Sequence, residues 1–142
     1  ILISSITASI TSALTVASLD SGIQGPQDLP KVSAGAVRNT TSADYFFERG
    51  MNPRLYETVR EALEGLQVGE VQAVVYDAPT LAYLINQQYA GQLMVLPDIF
   101  EQQQYGIALP FNSSLRKEIN QELLHLIESG EFEQIRQRYL GE

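Results

Sequence analysis

Between residues 32 and 109, short apolar runs alternate with stretches of helical period, and that alternation leaves few folds open. Residues 71–76 (VQAVVY) are apolar at nearly every position, the pattern of a central strand buried on both faces. Residues 32–37 (VSAGAV), 92–96 and 105–109 (YGIAL) read as further strands. Residues 40–49 read as a helix with Asp44 in its first turn and Gly50 as its stop. A second helix follows Pro53, with Leu55, Val59, Ala62, Leu63 and Leu66 on one face and Gly65 and Gly69 at its close. Residues 78–89 form a third, with Pro79 in the first turn, where proline costs least. Two amphipathic helices, 114–128 and 132–140, are parted by Gly130. Strands and helices in this order imply βαβ units with right-handed crossovers: an α/β lobe with a mostly parallel sheet flanked by helices.

Charge and composition remove several function classes. A net charge of −8 offers no basic surface for phosphates, so no nucleic-acid partner is expected. There is no cysteine, hence no disulfide, thiolate metal site or cysteine nucleophile. His125 is the only histidine and sits among Leu123, Leu124, Leu126 and Ile127. No paired acids, nucleophile or metal-ligand set stands out. No catalysis, metal or cofactor is expected.

Residues 1–19 carry no charge, and Ser and Thr recur between Ile and Leu. A membrane helix needs about 20 predominantly apolar residues, and Ser and Thr suit helices that pack on helices or line water. The expectation is the end of a pore-lining helix over 1–19; the alternatives are a Thr-rich strand or a disordered tail. A signal peptide lacks its positive n-region here. The chain opens on Ile rather than Met, so a fragment or processed product is expected.

In a mostly parallel sheet, ligands gather beyond the carboxyl ends of strands, beside helix N-termini. Two junctions fall there. The first is residues 38–42 (RNTTS), where helix amides and the hydroxyls of Thr40 and Thr41 suit an anion. One of Thr40, Thr41 or Ser42 would also cap the helix, with Asp44 as a weak capping-box partner. The second is residues 76–78 (YDA), where Asp77 suits an ammonium group or caps the next helix. An anion site and an ammonium site on one cleft fit an α-amino acid.

The runs AVRNTTSADYFF, AVVYDAPTLAYL and YGIALPFNSSLRKEINQELLHLIESGEFEQIRQRYLGE resemble the second half of a type 2 periplasmic amino-acid-binding protein, over residues 22–142. Residues 5–16 (SITASITSALTV) resemble the end of the third membrane segment of ionotropic glutamate receptors, whose signature begins Ser-Tyr-Thr-Ala-Asn-Leu. Ser5, Thr7 and Ala8 agree with it, while Ile6 and Ser9 replace Tyr and Asn. The order of the two halves is similar to that of prokaryotic glutamate-gated channels. The division implied is a pore-helix end at 1–19, a linker at 20–30, ligand-binding lobe 2 at 31–104, and a return strand with C-terminal helices packing towards lobe 1 at 105–142.

By this resemblance Thr40 binds the ligand α-carboxylate, Thr41 the distal carboxylate of glutamate, and Asp77 the α-ammonium, while Tyr105 lines the cleft. Asn39 stands where the family has Gly, and the disulfide of many animal receptors has no cysteines here. Arg38 is read as solvent-facing, with a role towards an acidic side chain as the alternative. The resemblance implies a plasma-membrane receptor with its binding part on the periplasmic or extracellular side. L-glutamate is the expected ligand, and closure of two lobes opens the pore. The first ligand-binding segment and pore domain of the same receptor are implied partners, in a homotetramer. The competing readings are an amino-acid-binding protein of an ABC-type transporter and an enzyme on the same fold.

Overall fold

The computed structural model describes residues 2–16 and 22–140, with the side chains of 2–14, 99 and 102–105 outside the description. The chain divides into two units. One comprises Thr11–Glu101, and the other residues 1–10 with Gln102–Glu142.

In order, the elements are β1 (Leu2–Val16), a short 3-10 helix (Pro26–Lys31), β2 (Ala34–Val37), α1 (Thr41–Glu48), β3 (Arg54–Tyr56), α2 (Val59–Gln67), β4 (Ala73–Asp77) and α3 (Ala78–Leu84). A π-helical turn (Ile85–Tyr89) continues α3, and β5 (Met94–Leu109), α4 (Leu115–Glu128) and α5 (Glu131–Leu140) follow. The strand order is β3-β2-β4-β1-β5. β2 runs parallel to β3 and to β4, whereas β1 runs antiparallel to β4. Two of the three described pairings are parallel and one is antiparallel, so the sheet is mixed with parallel pairing predominant, and its α/β architecture flanked by helices is as expected.

The largest correction concerns the N-terminal segment. Leu2–Val16 is a strand, not a pore-lining helix; residues 17–19 of that reading lie outside the described residues. No helix among the described residues is long and apolar enough to cross a membrane. Ile3, Ile6, Thr7, Ile10, Thr11, Thr15 and Val16 are β-branched and favour extended backbone. Residues 12–15 then find a partner in β4, with Ser12 opposite Asp77 and Leu14 opposite Val75. Two smaller corrections have the same origin. Leu55 belongs to strand β3 rather than to a helix, and β5 runs unbroken where two separate strands, 92–96 and 105–109, were expected.

β4 explains its own composition. Val74 joins a cluster with Leu63 and Leu66 of α2 and Leu81 and Leu84 of α3. Its neighbours Ala73 and Val75 point the other way, into a cluster with Phe46 of α1 and Leu29 of the 3-10 helix. A strand covered on both faces must be apolar at successive positions. In the other unit, neither α4 nor α5 buries a residue.

Thr15 is fully buried opposite Val74, and its hydroxyl has no hydrogen-bond partner among the described residues. An unmatched buried hydroxyl forfeits its hydration. Thr15→Val, which exchanges the hydroxyl for a methyl of similar size, is expected to stabilise the chain by about 1 kcal/mol. Urea unfolding should show a higher midpoint at an unchanged slope; a lower midpoint would mean the hydroxyl is matched after all.

Candidate functional site

Thr40 ends the turn after β2 and begins α1. Its hydroxyl donates to the Val37 carbonyl at 2.7 Å and accepts from the Ala43 amide at 3.4 Å. The capping role is thus realised, by Thr40 itself. Thr41 and Ser42 occupy the first turn, Thr41 exposed and Ser42 buried. The residue three beyond the cap is Ala43, so Asp44 sits one position too late for a capping box. α2 is built differently. There Thr58 caps, and the Glu61 carboxylate reaches back to accept from the Glu57 amide at 3.1 Å. The start of α2 carries its own carboxylate at the third helical position, where α1 has Ala43 instead.

The approach to Thr40 depends on Asn39, whose φ of 56° lies in the left-handed region. Asn tolerates that region better than most residues, so the tight turn survives without glycine.

Asp77 is the last residue of β4 and occupies the N-cap position of α3, yet its carboxylate makes no capping hydrogen bond there. Burial pushes the adjacent Tyr76 phenol above its ordinary pKa, and the charge of Asp77 adds to the shift. Tyr76 is therefore a neutral hydroxyl at physiological pH.

Strand pairing relates these groups. Ala34 pairs with Ala73 and Gly35 with Val74. Continued past the end of β2, that register sets Arg38 level with Asp77. Ala36, Ala73 and Val75 all belong to the cluster on the α1 side. Residues two apart share a face of a strand, so Arg38 and Asp77 lie on that same side. Thr40, Thr41 and Asp77 consequently share the carboxyl edge of two neighbouring parallel strands. Tyr105 falls on the part of β5 in the other unit, and its side chain lies outside the description.

Glu57 belongs to this edge and was not singled out from the sequence. It follows β3, where a helix was expected, and its carboxylate meets Arg38 Nε at 2.8 Å. The signal was available in the RLYE run, had residues 54–56 been read as an edge strand.

A cavity of about 520 Å³ lies at the opposite, amino edge, between the 3-10 helix, the end of α1 and the turn before β3. Its one charged lining group, Arg49, lies 3.9 Å over the Tyr45 ring and is paired to Glu101 at 2.8 Å. The carboxyl edge, with a helix N-terminus and a non-capping carboxylate, has the more specific chemistry.

No protein-family model matches the chain. It is 26% identical over 162 aligned positions to the delta-1 ionotropic glutamate receptor of Mus musculus, covering 98% of this chain and 16% of that receptor. The chain thus spans less than a fifth of that curated relative. Among solved structures, it is similar to the GluR0 ligand-binding core from Nostoc punctiforme, determined in complex with L-glutamate. The identity is 30%, with a TM-score of 0.73 over 95% of this chain and 63% of that one. It is equally similar in fold to ArtJ, the arginine-, lysine-, histidine-binding protein of Geobacillus stearothermophilus. There the identity is 25% and the TM-score 0.73, over 99% of this chain and 63% of that one.

Proposed function

We propose that this homologue of the ionotropic glutamate receptors, a lobe of the type 2 periplasmic-binding-protein fold, binds a free α-amino acid at the carboxyl edge of β2 and β4. The observation that carries the reading is the pairing of opposite chemistries on that edge. The start of α1 presents amide donors without a capping-box carboxylate, and Asp77 brings a carboxylate to the same edge. The amide donors and positive end of α1 suit a carboxylate, and Asp77 suits the ammonium. Thr41 is assigned to a distal carboxylate. The amino acid is bound and released unchanged. L-glutamate is the ligand we favour, since the Nostoc core was solved with it.

We assign the lobe to a membrane receptor of the channel-gating kind, with this part outside the cytoplasm and the pore held in a homotetramer. Support comes from the delta-1 similarity, which runs through the N-terminal segment as well as the lobe. The rest of the binding domain is the occupant we propose for the apolar face of α4 and α5. Leu124, Ile127, Phe132, Ile135 and Tyr139 are exposed there. One observation favours the transporter-protein reading instead: Leu2–Val16 is a strand, as it would be in a soluble two-lobed binding protein. Glutamate-evoked current through the full-length protein in a bilayer separates the two, and its absence favours the transporter.

The site itself is tested by titrating the ¹⁵N-labelled chain with L-glutamate. Amide shifts are expected at residues 39–43 and 77–78 and at few others. A millimolar dissociation constant is expected, because only part of a two-lobed site is present. Asp77→Asn should weaken binding about tenfold or more, as loss of a charged hydrogen-bond partner does. Equal affinity in the variant would remove Asp77 from the site.

A further inference from the structure

We propose that Arg38 selects the side chain of the bound amino acid, favouring one that carries a second carboxylate. The inference rests on the amino-acid site proposed above and adds a specificity-determining residue to it. Strand order sets the order of charge along the carboxyl edge: Asp77 on β4, Arg38 just past β2, and Glu57 just past β3. A ligand whose ammonium is held at Asp77 reaches Arg38 before Glu57, because β2 lies between β4 and β3. It therefore meets a cation first.

The guanidinium is held in position. The Arg38 amide donates to the Tyr56 carbonyl at 2.9 Å, which extends the β2–β3 ladder by one residue. Its Nε meets the Glu57 carboxylate at 2.8 Å, and the Glu57 amide is tied to Glu61. Contact through Nε leaves the two terminal nitrogens of the fork to point elsewhere. The side chain remains about half exposed, at 51%. The other arginines and lysines of this unit are placed differently. Lys31 is in the 3-10 helix, Arg49 follows α1 at the amino edge, Arg54 opens β3, and Arg60, in the first turn of α2, is engaged by the Gln88 side-chain carbonyl. A distal carboxylate thus has Arg38 and the start of α1 as its cationic surroundings, and a cationic side chain is repelled there.

Glu57 already neutralises part of the Arg38 charge, so the selection is moderate. For the ¹⁵N-labelled chain, L-glutamate should bind about tenfold more tightly than L-glutamine, the scale of one charge-assisted hydrogen bond. L-lysine should bind more weakly than either. In Arg38→Gln the glutamate-to-glutamine ratio should fall to within about twofold, and Arg38→Lys should fall between the two. Retained amide dispersion in the spectra confirms that the variants fold. A preference for glutamate that persists in Arg38→Gln overturns the inference, as does a wild-type chain that binds all three equally. If none of the three shifts residues 39–43 or 77–78, the amino-acid site itself fails, a result distinct from loss of selection.

Discussion

Truncating Phe46 to alanine should cost the chain about 4 kcal/mol, the scale seen when a buried aromatic ring is removed and its cavity only partly closes. Phe46 is 1% exposed and stands at the centre of the cluster formed by Val16, Leu29, Ala36, Ala43, Val75 and Leu96. Most of those neighbours are small or branched and cannot reach into a ring-sized void. Domain stabilities of about 5–15 kcal/mol make this a large fraction of the whole. The loss has a functional side. Phe46 fixes the second half of α1 to the sheet, and the first turn of the same helix carries the proposed anion site. Urea unfolding measures the first effect and the glutamate titration the second. Phe46→Leu should retain more than half of the stability lost on truncation to alanine. A loss below about 1 kcal/mol for Phe46→Ala would show that the cluster collapses freely.

The second large effect concerns a glycine that looks replaceable. Gly65 lies inside α2, where alanine is ordinarily preferred by about 1 kcal/mol. A methyl placed there would fall 2.7 Å from Cζ of Tyr56 and would also meet its hydroxyl. The ring cannot move aside easily. Its other edge lies over Gly35, where a Cβ would come within 2.9 Å of Cε2, and its hydroxyl donates to Glu70 at 3.3 Å. Two glycines, one on β2 and one on α2, thus leave room for one tyrosine between sheet and helix. Gly65→Ala is expected to destabilise by about 2 kcal/mol, overpacking exceeding the gain in helix propensity. In a Tyr56→Leu background the same substitution should cost much less, since the obstructing ring is gone. A raised urea midpoint for Gly65→Ala alone would mean that the phenol swings away without penalty.

Local signals carried much of the fold. Residues 71–76 announced β4 through their continuous apolar run, and Gly50, with a φ of 67°, ends the turn after α1 as expected. Pro79 stands in the first turn of α3, also as expected. The errors share a cause. The hydropathy and lack of charge of residues 1–19 are common to a membrane helix and a paired strand. The deciding fact was hydrogen bonding to β4, some sixty residues further on, which no local pattern records. The same holds for β5, whose polar middle, residues 101–104 (EQQQ), carries no strand pattern of its own.

From composition and spacing alone came the kinds of groups available: an anion-seeking turn at residues 38–42, a carboxylate after the strongest strand, and no thiol or histidine cluster. Tertiary structure decided which of these groups meet. Parallel pairing of β2 with β4 put Thr40 and Asp77 on one edge, and pairing with β3 brought Glu57 to Arg38. Backbone preferences act over a few residues and can be read along the chain. Strand neighbours are chosen by burial and ladder bonds across long separations, so adjacency became visible only in the folded molecule.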